Sequence, residues 1–221
     1  MSQHQHEKVG EEFSREDFFK ARDLTKKIVQ SVFKKCNVGM YDKEIVELLD
    51  AEMFKEGAER LWHPTKVRIG EETLKNFPDS FNPDRKLSEG DILFFDVGPV
   101  FFDHEGDYGE TFVFGKSDQE CKKAVIDFSK ELFNKLSIEW KSQNLTGLQL
   151  YERAVAYSQA KGYEFNLRMG GHRLGDFPHA LFSKSKLKDI DFVPATELWI
   201  LEVHVLDREN KIGAFFEDLL S

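Results

Sequence analysis

Five residues of this chain have side chains of the kind that hold divalent cations: Asp96 in FFDVG, Asp107 in EGDYG, His172 in GGHRLG, Glu202 in ILEVH and Glu217 in FFEDLL. Each stands on or beside an apolar stretch that reads as a β-strand. A carboxylate set among core residues is costly unless cations or hydrogen-bond donors face it. Singly, each has a plain structural role: Asp96 capping a turn, Glu202 facing solvent on an edge strand, His172 hydrogen-bonded within its loop. Together, two Asp, one His and two Glu make the oxygen-rich set that a two-metal site for a hard divalent ion requires. His204 shares a strand face with Glu202 because the two are two residues apart, so it either lines the same pocket or serves as a hydrogen-bonded structural histidine.

Strands and helices must bring these groups together. DILFFDVGPVFFD and YGETFVFG, joined by a turn containing Asp and Gly, read as a β-hairpin that can place Asp96 and Asp107 opposite each other. ELWILEVHVLD reads as a strand carrying Glu202, and GAFFEDLL as a last, short strand carrying Glu217. Four helices separate these elements. The first runs from Ser14, with Asp17 three residues later, through Phe18, Ala21, Leu24, Ile28 and Val32 to about Lys35. The second runs from Asp42 to Glu56 with Ile45, Leu48, Leu49 and Phe54 as its buried stripe. The third spans Ser117 to about Trp140, and the fourth is capped by Thr146 and ends at Gly162. The order helices, strands, helices, strands predicts an α+β domain with its site where two similar halves meet. Residues 1–13 are polar and read as a flexible N-terminal segment, with residues 14–221 as one catalytic domain. The polar stretch 71–90, with Pro78 and Pro83, is long enough to act as a lid over the site.

Composition narrows the partners. Forty acidic against 31 basic residues give a formal charge of −9, the wrong sign for a surface that neutralises phosphates. Nucleic acid and anionic membrane are therefore excluded as general partners. No apolar run approaches a membrane span, and the first residues lack the apolar core of a signal peptide, so the expected location is the cytoplasm. Cys36 and Cys121 are far apart with no CxxC spacing and read as reduced thiols.

The ordered set of Asp96, Asp107, GHRLG, LE and FED resembles the superfamily of methionine aminopeptidases, Xaa-Pro aminopeptidases and prolidases, the creatinase-like metallopeptidases. The likeness runs from about Ser14 to Leu220, and GDILFFDVGPVFFDHEGDYGETFVFG is its most telling part. It implies the pita-bread fold, with two similar αβ halves around a dinuclear metal site. By resemblance, Asp96, Asp107, His172, Glu202 and Glu217 are the metal ligands, with Asp107 and Glu217 bridging. Glu202 also takes the proton of a water bridging two divalent ions, which leaves the attacking hydroxide, and His179, in DFPHAL, stabilises the tetrahedral intermediate. The carboxylate-rich shell suits Mn2+ first, with Co2+, Fe2+ or Zn2+ as alternatives. The family also carries a histidine upstream of the first metal Asp, a part His63 can play only if the 71–90 segment loops out. Arg173, Val203 and Glu110 depart from patterns common among relatives. The local motifs look closer to the Xaa-Pro branch, while a length of 221 residues fits the catalytic fold alone, as in methionine aminopeptidase. The implied activity is removal of an N-terminal residue from small peptides, of Xaa-Pro type, with methionine aminopeptidase-type activity and a non-peptidase family member as alternatives. Homodimers are common among relatives.

Overall fold

The computed structural model describes residues 5–221 except 77, 78, 81, 83, 116–119 and 179–182. Helix α1 (Arg15–Lys35) starts where the Ser14 hydroxyl accepts the Asp17 N–H at 3.2 Å, and α2 (Asp42–Lys55) where the Glu44 carboxylate accepts the Tyr41 N–H at 2.7 Å. Both caps satisfy backbone donors that a helix start leaves open. The buried stripe of α2 is Ile45, Leu49 and Met53; Phe54, expected in it, is half exposed because it follows Met53 around the helix. Helix α3 (Glu120–Gln143) and α4 (Gly147–Ala160) form the second pair, with Thr146 and Gln149 capping each other reciprocally at the start of α4. Gly162, with φ +83°, turns the chain after α4.

The strands are β1 (Arg60–Leu61), β2 (Lys66–Ile69), β3 (Ile92–Val97), β4 (Pro99–Phe101), β5 (His104–Glu105), β6 (Tyr108–Val113), β7 (Glu164–Phe165), β8 (His172–Arg173), β9 (Trp199–Asp207) and β10 (Ile212–Leu219). The main sheet runs β2-β3-β6-β10-β9-β7, with β8 also paired to β9, and all its pairings are antiparallel. The expected hairpin is present as β3 and β6, but its tip folds over into β4 and β5, which pair with each other and with β1 in a second small sheet. Alternation along the strands sorts side chains by face. Leu93, Phe95 and Val97 of β3 join Ile28, Val32, Ile45 and Leu49 of the first helix pair, while Leu201, Val203 and Val205 of β9 join Leu132, Leu136 and Leu150 of the second. Burial of each such side chain contributes roughly 1.5–3 kcal/mol. The helices therefore cover one face of the sheet, and the intervening residues of β3 and β9, Asp96 and Glu202 among them, point to the other.

Three features at the edges position the site. Strand β10 pairs with β9 from Ile212↔Asp207 to Leu219↔Ile200, so Glu217 sits inside the pairing rather than at a frayed end. The 71–90 segment joins two neighbouring antiparallel strands: β2 returns alongside β3 with Lys66 opposite Asp96, so the chain before β2 is brought back beside the first acid. Residues 5–13 lie against the body, where the buried Glu7 carboxylate accepts from the Ala195 N–H at 2.5 Å and from Trp199 Nε1 at 3.3 Å. Gly10 N–H donates to Asp176 at 3.0 Å, and Arg173 donates to the Lys8 carbonyl. Among the described residues no helix is long and apolar enough to cross a membrane.

Candidate metal centre

Register places three of the four predicted acids with almost no freedom. Asp96 on β3 is opposite Gly109 on β6, Gly109 is opposite Glu217 on β10, and Glu217 is opposite Glu202 on β9. These residues form one row across four strands on the face without helices. Asp107, two residues before Gly109, and His172, opposite Ile200 two residues before Glu202, sit one step along the same face. A Cβ at Gly109 would fall 2.3 Å from the Phe215 ring and 3.1 Å from the Glu217 Cβ, so the middle of the row has room only for hydrogen.

Asp107 lies between two histidines. Its Oδ2 is 2.9 Å from His172 Nε2, and its Oδ1 is 3.3 Å from His63 Nε2, which is also 3.5 Å from Asp96 Oδ1. His172 Nε2 reaches Glu217 at 3.9 Å. In both rings the other nitrogen donates to a main-chain carbonyl: His63 Nδ1 to Pro64 at 3.1 Å and His172 Nδ1 to Arg173 at 3.0 Å. A carbonyl only accepts, so Nδ1 carries hydrogen and Nε2 faces the carboxylates, the orientation in which imidazole ligates a metal. Ligand atoms of His63, Asp96 and Asp107 lie within 4.8 Å of one another, as do those of Asp107, His172 and Glu217, so Asp107 belongs to both groups. Glu202 stands beside them rather than within either group; its carboxylate accepts the Gly171 N–H at 2.8 Å.

The electrostatics are those of a cluster short of positive charge. Burial pushes the Asp96 carboxyl up to about 6 against the pull of His63, with Asp107 and Glu202 adding like charge. Burial also pushes Glu217 well above the usual carboxylate range, helped by the Asp107, Asp96 and Glu202 charges. Burial disfavours the Asp107 charge too, but the hydrogen bonds to His172 and His63 outweigh it and hold that carboxyl below its ordinary value. The histidines shift in step: burial opposes their protonation, yet Asp96 and Asp107 raise His63 to about 10, and Asp107 with Glu202 raises His172 to about 9. Converging buried carboxylates with two Nε2 atoms fit divalent cations, which would replace these protons as the counter-charge.

The site opens into a cavity of about 740 Å³, with Asp96, Asp107, His172, Glu202 and Glu217 among its lining residues. His63 lines it as well, and the close approach of its ring depends on Gly98, where a Cβ would stand 2.6 Å from His63 Cδ2 and Nε2. His204 does not line it. Buried, it donates from Nε2 to the Thr73 carbonyl at 2.8 Å and accepts at Nδ1 from Asn166 at 2.9 Å, and burial depresses its pKa to about 4. His179 lies outside the described residues. Arg173 and Glu110 face away from the cavity: Arg173 is fully buried near Asp176, Glu105 and Glu7, and Glu110 accepts from Gln30, Tyr108 and Lys130 behind the sheet. Sequence reading passed over Asn76, Trp62 and the basic residues of the cavity wall. The alternation Lys184, Lys186, Lys188 was the one available signal for the last of these.

The fold has known counterparts. The chain superposes on an X-Pro aminopeptidase from Thermotoga maritima with a TM-score of 0.75 and 22% identity, covering 91% of this chain and 56% of the other. A prolidase from Pyrococcus furiosus gives 0.75 and 17% over 94% of this chain and 61% of the other. A methionine aminopeptidase from Thermotoga maritima gives 0.71 and 18% over 91% of this chain and 90% of the other. In sequence the chain is 25% identical over 127 residues to a methionine aminopeptidase from Aquifex aeolicus, and that match spans 56% of this chain and 46% of the relative. The architecture is thus the pita-bread fold of these enzymes. The profile of metallopeptidase family M24 matches residues 16–220, which hold all ten strands and, but for the first residue of α1, all four helices, and the chain belongs to that family.

Proposed function

We propose that this protein is a dinuclear metallo-aminopeptidase that releases the N-terminal residue of short peptides, with Xaa-Pro bonds preferred. The observation that carries the reading is the sharing of Asp107 between two groups of ligand atoms, His63–Asp96–Asp107 and Asp107–His172–Glu217, at the floor of one cavity. Asp96, Asp107, His172, Glu202 and Glu217 would hold the metal, with Mn2+ best suited to so many oxygens. When bound, two divalent ions lower the pKa of water and polarise the scissile carbonyl. Glu202, held by the Gly171 N–H, accepts the proton from the attacking water and returns it to the leaving amine. His63, fixed by Pro64 and packed on Gly98, points Nε2 into the cavity and positions the substrate amide. His179 is assigned the hydrogen bond to the developing oxyanion. The Xaa-Pro half rests on the local motifs and on the names of the structural neighbours, an X-Pro aminopeptidase and a prolidase. Trp62, edge-on to Phe177 at 5.8 Å, adds an apolar wall against which a proline ring packs.

The test loads the purified chain with Mn2+, measures metal by mass spectrometry, and assays Met-Xaa, Xaa-Pro and general aminopeptide substrates. The expected result is about two metal equivalents per chain and cleavage of Xaa-Pro peptides. Metal below half an equivalent together with no cleavage refutes the enzyme, and cleavage confined to Met-Xaa refutes the Xaa-Pro preference. Glu202→Gln should lower kcat by about 10²–10⁴-fold.

A further inference from the structure

The cavity has an acidic floor and a basic wall. Lys184, Lys186, Lys188 and Arg168 all line it, on a chain whose formal charge is −9. Arg168 already faces a carboxylate, with Nη2 at 3.1 Å from Asp79 Oδ1. Among the described residues none of the three lysines is in an ion pair, and Lys188 Nζ donates only to the Leu167 carbonyl at 2.8 Å. The stems of two of them pass close to the ligand His172. A Cβ at Gly170 would meet Lys186 Cδ and Lys188 Cδ at 3.0 Å each, so both stems pack on a residue two places before His172. Gly170 is thus at most about 7–8 Å from His172 along the chain. The backbone fixes the same approach: Leu187 N–H donates to Gly171 and Lys188 N–H to Gly170.

The charge of the wall decides which part of a peptide it meets. A free α-ammonium is repelled by lysines and attracted to the carboxylate floor, so the wall is left for the far side of the scissile bond. Unpaired cations lining a concave surface focus field on an incoming anion. Resting on the peptidase reading above, we propose that Lys184, Lys186 and Lys188 form a carboxylate subsite one or two residues beyond the scissile bond, making short anionic peptides the favoured substrate class. The carboxylate can be the C-terminus of a di- or tripeptide or the side chain of an acidic residue.

The experiment compares matched peptides on the Mn2+-loaded full chain. One pair is Ala-Pro with a free carboxylate against Ala-Pro amide; the other is Ala-Pro-Glu amide against Ala-Pro-Gln amide. The expected result is a KM about tenfold lower for the anionic member of at least one pair, the scale of a charge-assisted hydrogen bond. The pair that responds identifies the source of the carboxylate. In Lys186→Gln/Lys188→Gln the anionic-to-neutral ratio should fall toward one, and in wild type it should shrink as salt rises. Equal KM values within both pairs, or a ratio untouched by the substitutions, overturn the subsite while leaving the peptidase reading intact. If no peptide is cleaved, the peptidase reading fails instead. Calorimetry with the same pairs carrying a CH2 group in place of the scissile carbonyl, joined to the proline nitrogen, then reads the wall directly, and equal affinities overturn the subsite.

Discussion

At the scale of single residues, the site is built as much by missing side chains as by those present. Gly109 lets the Phe215 ring and Glu217 pack against the centre of the Asp96–Glu217–Glu202 row, and Gly98 allows the His63 ring to lie against the backbone. Gly98→Ala should therefore displace His63 without unfolding the strands, because the nearest atoms to the new Cβ belong to a movable ring rather than to backbone. The expected outcome is a fall of about a hundredfold in kcat/KM, the order that a 1 Å misplacement brings, with an unchanged circular-dichroism spectrum. An unaltered kcat/KM would remove His63 from the substrate-positioning role. Ring orientation is set at this scale too, since the Pro64 and Arg173 carbonyls hold Nδ1 and turn Nε2 of each site histidine toward the carboxylates.

At the scale of elements, the sheet carries chemistry on one face and cohesion on the other. Glu110 is adjacent to Gly109 on β6, yet alternation sends it to the helix side, where Gln30 of α1, Tyr108 of β6 and Lys130 of α3 donate to it. One buried carboxylate thus ties both helix pairs to the strand at the centre of the fold. Glu110→Ala leaves Lys130 and Gln30 without their acceptor and should destabilise the protein by about 1–2 kcal/mol, read as a lower urea midpoint at unchanged slope. Because the residue faces away from the cavity, bound metal should stay near its wild-type level in the folded variant. Loss of metal with unchanged stability would contradict this division of the two faces.

At the scale of the whole molecule, folding gathers like charges that only counter-ions make tolerable. In the metal-free protein those counter-ions are protons: Asp96 is raised to about 6, His172 to about 9 and His63 to about 10. Raised folded-state values mean that the native state binds more protons than the unfolded chain, so this contribution is full at low pH and is lost as pH rises. For Asp96 the loss falls between about 4 and 6, and for the histidines between about 6.5 and 10. Metal replaces the protons, so its stabilisation should grow with pH. Chelation is expected to lower Tm by about 5–10 °C at pH 8 and by less at pH 6. A difference independent of pH would mean that the protons and the metal do not compete. Much of this was legible in the amino-acid order. Ser14 and Thr146 caps, the apolar periodicity of α1 to α4, and an acid interrupting each apolar strand follow from local chemistry within a few residues. What local order cannot contain is register between distant strands. Asp96, Glu202 and Glu217 become one row only through pairings made after long loops, the pairing of β2 with β3 returns His63 to Asp107, and His204 on β9 is tied to the distant Thr73 and Asn166. Residue types and their periodicity set the elements and the inventory of ligands. Long-range antiparallel pairing decided which of them share a face, because a one-residue change of register would turn every one of these side chains to the opposite side.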